Sequence, residues 1–140
     1  VLFRSEMNPP AARIESLTIL IAEDNAADRL LLSTIVSRQG HRVLTAGNGL
    51  EAVALFETER PQLVLMDVMM PEMDGYEATR QIRDSGRWGG LPIIALTANA
   101  LPDERERCRA AGMDDYLAKP FHRDELKAIL DRWCPLTAGD

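Results

Sequence analysis

The sequence predicts an α/β fold: a doubly wound, five-stranded parallel sheet flanked by five helices. Three observations carry the prediction. Short apolar runs alternate along the chain with stretches of helical spacing. The strongest of those runs are continuously apolar, as strands buried on both faces are. Acidic or polar residues stand where the runs stop.

The first strand is the run 17–22, which ends at Glu23-Asp24. Leu30, Leu31, Ile35 and Arg38 follow at helical spacing, with Gly40 as the stop. Residues 42–46 form a shorter, more polar strand, suited to a sheet edge. Asn48 caps a helix carrying Leu50, Val53 and Ala54. Pro61 precedes the strand 63–67, and a loop over 68–74 leads into a helix from Gly75 to about Asp84. Residues 86–90 are a turn-rich break before the strand 92–96. Pro102 suits the first turn of a helix that stops near Gly112. A short strand over 116–118 precedes the last helix, marked by Leu126, Ile129, Leu130 and Trp133. The domain is expected over 17–134. Residues 1–16, with Pro9-Pro10 and at most a short helix from Ala11, read as a linker or cloning remnant, and 135–140 as a tail.

Bulk properties narrow the function. A chain of 140 residues, 46% hydrophobic and 27% charged, suits one packed soluble domain. A net charge of -6 without a basic block argues against direct nucleic-acid binding. Cys108, Cys134, His41 and His122 are scattered, without the spacing of a zinc site. Apolar runs such as 63–66 and 93–96 are far too short to span a membrane, and no signal peptide is visible. A cytoplasmic location is the expectation.

The chemistry collects at strand ends. In an open parallel sheet, ligands bind beyond the carboxyl ends of the strands, near the switch point. With strand order 2-1-3-4-5, Asp24 and Asp67 face one another there. Paired carboxylates repel and call for a compensating charge. Mg²⁺ suits one or two carboxylates together with waters and a phosphate oxygen. Thr97 adds a hydroxyl and Lys119 a cation from the next two strand ends. An in-line carboxylate nucleophile, a metal, a cation and a positioned donor are the parts of phosphoryl transfer. Each residue alone has a plainer role: an acidic pair after a strand commonly caps a helix, and Tyr116 alone would be core. Only as a set do they point to one chemistry.

Four motifs then fit a known family. Ile-Ala-Glu-Asp-Asn (21–25), Met-Asp-Val-Met-Met-Pro-Glu-Met-Asp-Gly (66–75), Ala-Leu-Thr-Ala-Asn-Ala (95–100) and Tyr-Leu-Ala-Lys-Pro-Phe (116–121) resemble those of two-component receiver domains, over roughly 17–133. The resemblance implies a flavodoxin-like fold and assigns roles. Asp67 matches the phosphoacceptor, and Asp24 the direct Mg²⁺ ligand, with Glu23 acting through water. The backbone carbonyl of Met69 matches a further ligand. Lys119 matches the lysine that pairs with phosphoryl oxygens. Thr97 matches the switch hydroxyl, Ala98 the small residue beside it, and Tyr116 the aromatic that moves with it. Pro120 matches a position usually preceded by a cis peptide. The implied function is a phosphoacceptor with self-catalysed transfer and slow autodephosphorylation, tuned by Met69 and Asn99. The implied partner is a histidine kinase domain or a histidine phosphotransfer protein, with no direct nucleic-acid or membrane contact. The stretch 96–120 resembles receivers fused to hybrid sensor histidine kinases, whose parent chain can be membrane-anchored; a free-standing single-domain response regulator is the alternative. The helix after Thr97 is rich in Glu and Arg, with Leu101 and Cys108 its apolar residues, so it and the last helix, with Tyr116, are the expected signalling surface.

Three rivals remain at this level. Gly47-Asn-Gly-Leu-Glu-Ala52 reads G-x-G-x-x-A, and Asp67 lies twenty residues past Gly47, where a dinucleotide fold places its ribose acid. That reading leaves Glu23, Asp24, Thr97 and Lys119 unused. An aspartyl phosphohydrolase of the haloacid dehalogenase type would carry a second Asp where Met69 stands. A purely structural interaction module would not be phosphorylated at all.

Overall fold

A computed structural model of the chain describes residues 16–86 and 90–134. The expected linker up to residue 15, the middle of the 86–90 break and the tail lie outside them. The elements run β1 (Thr18–Ala22), α1 (Ala26–Arg38), β2 (Arg42–Ala46), α2 (Gly49–Glu59), β3 (Leu63–Asp67), α3 (Gly75–Asp84), β4 (Ile93–Thr97), α4 (Pro102–Ala111), β5 (Asp115–Ala118) and α5 (Arg123–Trp133). The sheet is parallel throughout, in the order β2-β1-β3-β4-β5. This is the expected doubly wound α/β architecture.

Alternate strand residues feed two cores, one on each face of the sheet. Leu20, Ala22, Val64, Met66, Ile93 and Ala95 pack with Phe56, Tyr76, Ile82 and Cys108 from α2, α3 and α4. Ile19, Ile21, Leu63, Leu65, Ile94 and Leu96 pack with Leu32, Val36, Leu126 and Leu130 from α1 and α5. β1, β3 and β4 are almost wholly buried, whereas β2 is partly exposed as an edge strand.

The helix ends obey local chemistry. Asn25, Asn48 and Asp74 each accept a hydrogen bond from the backbone N–H three residues on, capping α1, α2 and α3. Gly40, at φ 94, follows the end of α1, and Gly112, at φ 106, closes α4.

Two helical faces differ from expectation. On α1 the buried pair is Leu32 and Val36, while Leu30 and Leu31 are exposed. On α2 the buried side chains are Ala52 and Phe56, while Leu50 and Ala54 face outward. Apolar residues cover more than one stripe of each helix, so spacing alone leaves the rotation open. The last helix buries Leu126, Ile129 and Leu130 as expected.

Candidate functional site

The site is built at the carboxyl edge of the sheet, where β1 and β3 are direct neighbours with Ala22 opposite Met66. That register sets Glu23 level with Asp67. Glu23, Asp24 and Asp67 each bring a carboxylate oxygen within 4.8 Å of the other two. Glu23 and Asp67 are buried, and Asp24 faces outward. The plain reading of Glu23-Asp24 as a helix cap does not apply, because Asn25 holds the cap of α1.

Lys119 enters from the end of β5, just before a cis Lys119-Pro120 peptide, and its N–H donates to the Thr97 carbonyl. Its ammonium lies 3.2 Å from Asp67 Oδ2 and 3.1 Å from Glu23 Oε1, with Asp28 Oδ2 at 3.8 Å. Burial alone would push Lys119 down, but the carboxylates of Asp67 and Glu23 outweigh it and hold the ammonium above its ordinary value. Glu23 Oε2 accepts the Asn25 N–H, whereas Oε1 is sealed from solvent without a hydrogen bond of good geometry. Burial, and then the neighbouring Asp67 carboxyl, push Glu23 up from 4.5 to about 7. Three carboxyl groups thus share one ammonium. The excess of carboxylates over cations fits a hard divalent cation held by oxygen donors.

The expected switch residues lie on β4, β5 and the loops that follow β3 and β4. Thr97 is buried, and its hydroxyl donates to the Asn99 carbonyl and accepts the Asn99 N–H, both at 3.0 Å. Ala98 is exposed beside it. Tyr116 is half-buried at the β5–α4 seam, where its hydroxyl accepts from Arg105 at 3.1 Å and the Arg105 guanidinium covers its ring. Met69 is 73% exposed, and its N–H approaches Asp67 Oδ1 at 3.3 Å.

Sequence reading missed several supports. Arg29, one turn into α1, donates to the Glu23 carbonyl at 2.8 Å and to the Asp24 carbonyl at 3.4 Å, clamping the acidic turn. A lone Arg just after an acidic turn was the available signal. Asp28 is the third carboxylate near Lys119. Gly75 is forced by contact: a Cβ there would stand 2.1 Å from the Asp67 carbonyl oxygen. At the far edge, Arg83 ties α3 to the Gly112 and Leu91 carbonyls and to Asp114.

The G-x-G-x-x-A segment does not offer its glycine N–H groups to a pyrophosphate. Gly49 N–H donates to the Met73 carbonyl, a Cβ at Gly49 would stand 2.2 Å from that oxygen, and Gly47 N–H is taken by Glu51. β2 also neighbours β1 rather than β3, so Asp67 lies across the sheet from that turn.

Comparison with known proteins agrees with this geometry. The chain matches the response regulator receiver domain family over residues 19–131. It is 42% identical over 121 residues to the sensor histidine kinase GacS of Pseudomonas protegens, covering 84% of this chain and 13% of that protein. Among solved structures, the receiver domain of the sensor histidine kinase PA1611 from Pseudomonas aeruginosa is 47% identical, with a TM-score of 0.78 over 84% of this chain and 97% of that one. That structure has a magnesium ion coordinated in its active-site cleft. The co-crystal structure of the Saccharomyces cerevisiae histidine phosphotransfer protein Ypd1 with the receiver domain of Ssk1 also matches, at 28% identity and a TM-score of 0.81, over 86% of this chain and 90% of that one. No helix among the described residues is long and apolar enough to cross a membrane.

Proposed function

The chain belongs to the response regulator receiver family, and we propose that within it Asp67 is the phosphoacceptor, taking a phosphoryl group from a phosphohistidine. The observation that carries this reading is the buried Asp67 carboxylate, bridged by Lys119 to Glu23 at the carboxyl edge of β1 and β3. In the transfer, an Asp67 Oδ forms the new P–O bond as the P–N bond to the donor imidazole breaks, and the imidazole keeps that electron pair. Lys119 passes from a carboxylate–carboxylate bridge to the phosphoryl oxygens. Arg29 holds the acidic turn in place by its carbonyls. Asp24, Asp67, the Met69 carbonyl and, through water, Glu23 would hold Mg²⁺, which neutralises charge on the phosphoryl group when bound. Thr97 turns from Asn99 to the phosphoryl group, and Ala98 leaves room for the turn. Tyr116 follows, and the change is read out on the surface of α4, β5 and α5.

The relatives support a context for this segment. This segment is the receiver of a sensor histidine kinase of the hybrid kind, resembling those of GacS and PA1611. Its donor is a histidine kinase domain or, as the Ypd1–Ssk1 pairing suggests, a histidine phosphotransfer protein. Met69, standing where a phosphohydrolase would carry a second acid, favours storage of the phosphoryl group over turnover.

Incubation with acetyl phosphate and Mg²⁺, followed by intact mass, is the test. Wild type should gain one phosphoryl group and Asp67→Asn none. An adduct that persists in Asp67→Asn overturns the assignment.

A further inference from the structure

Tyr76, the second residue of α3, is a buried aromatic with its polar end fully engaged. Its hydroxyl donates to Glu104 Oε2 on α4. The Arg107 guanidinium lies over its ring, 4.5 Å from the centroid, and stands 3.9 Å from Glu104 Oε1. The Glu104 side chain is only 16% exposed, so the bond is shielded from water. Burial and then the Glu104 carboxylate hold the hydroxyl well above its ordinary value, which keeps it a donor.

The two ends of this contact have different anchors. On the α3 side, Gly75 N–H donates to the Val68 carbonyl, Gly75 presses on the Asp67 carbonyl, and Asp74 caps the helix. Tyr76 is therefore keyed to the strand that bears Asp67. On the α4 side, Glu104 is the third residue of the helix, just after the loop 98–101 that follows Thr97. α4 has no side-chain cap and buries only Cys108 and Ala111. A shielded, charge-assisted bond then joins the Arg105–Tyr116 contact in holding its first turns.

We propose that the Tyr76–Glu104 hydrogen bond is a latch that holds α4 in its unphosphorylated position. It rests on the reading of Asp67 as acceptor and Thr97 as the mover. When Thr97 leaves the Asn99 backbone, the 98–101 loop pulls on Glu104 while Tyr76 stays with β3, so the bond spans the fixed and moving parts. By linkage, a contact made only in the resting state opposes the adduct, and cutting it must tighten binding of a phosphoryl mimic. A Tyr76 that is merely core with a satisfied hydroxyl would instead cost stability and leave that affinity unchanged.

The test uses Tyr76→Phe, which keeps the ring and its Arg107 contact, and Glu104→Ala, which removes the acceptor. Calorimetric titration with beryllofluoride in Mg²⁺ should show each variant binding roughly fivefold to tenfold tighter than wild type. The double variant should gain no more than either single one, because both cut one bond. In adduct-free protein, amide exchange over 102–111 should quicken while that of α3 does not. Equal or weaker affinity in both single variants overturns the latch. Should wild type itself fail to bind beryllofluoride, the acceptor reading fails, and unchanged exchange over 102–111 then overturns the latch on its own.

Discussion

α3 and α4 are both ten residues long and cover the same face of the sheet, yet they are held in opposite ways. α3 has an Asp74 cap and buries Gly75, Tyr76, Ala78, Thr79 and Ile82. α4 has Leu101 at its capping position without a side-chain bond, buries Cys108 and Ala111, and is otherwise rich in acids and arginines. The helix that follows Asp67 is locked to it, and the helix that follows Thr97 is lightly held. That difference suits a site in which one strand end bears a reactive group and the next must move, since low local stability is what a moving element needs.

The largest expected effect breaks the locked side. Gly75→Ala sets a Cβ against the Asp67 carbonyl and should cost about 3 kcal/mol in urea unfolding. A loss under about 1 kcal/mol would mean that the α3 start yields easily and the contrast with α4 is overstated.

A smaller effect concerns the acidic side of the site. Glu23 is held at about 7 against an ordinary 4.5. Below 4.5 the group is neutral folded or unfolded; as pH rises towards 7 the unfolded chain releases the proton first, so metal-free stability falls across that window. Mg²⁺ favours the ionised form and should remove the loss. The rise in Tm on adding Mg²⁺ should therefore grow by roughly a few degrees between pH ~5 and ~7.5. A Mg²⁺ effect that is flat in pH would show that Glu23 does not sense the metal. The gain in exchange protection should fall on β1, β3 and the start of α3 rather than on α4.

The smallest effect sharpens the contrast from the loose side. Leu101 is 63% exposed and already extended, at φ -68 and ψ 158, so Leu101→Ser can supply the missing cap without opening the core. It should stabilise α4 by about 0.5–1 kcal/mol, read as slower amide exchange over 102–111. Exchange no slower than wild type would show that the cap is not what α4 lacks.

Much of this was legible from residue order. Continuous apolar runs ending in Glu23-Asp24, Asp67 and Thr97 located three strands and the edge on which they act, and Asn48 marked its helix start. Local rules suffice there, because caps and strand ends involve residues a few positions apart. The rotation of α1 and α2 was not legible: Leu32, Val36, Ala52 and Phe56 are the buried residues, although Leu30, Leu31 and Leu50 looked equally suited. Spacing specifies the angle between side chains on a helix, but the phase relative to the sheet depends on what the helix packs against.

The same division runs through the site. Residue type and order alone determined that Asp24, Asp67, Thr97 and Lys119 would gather at one edge, since each ends or follows a strand of a parallel sheet. Only the tertiary structure decided that Lys119 bridges Asp67 to Glu23, that Glu23 holds its proton so tightly, and that Tyr76 reaches Glu104. Such contacts join residues 28 to 96 positions apart. Their strength comes from burial, which exists only once the strands have paired and water has been excluded.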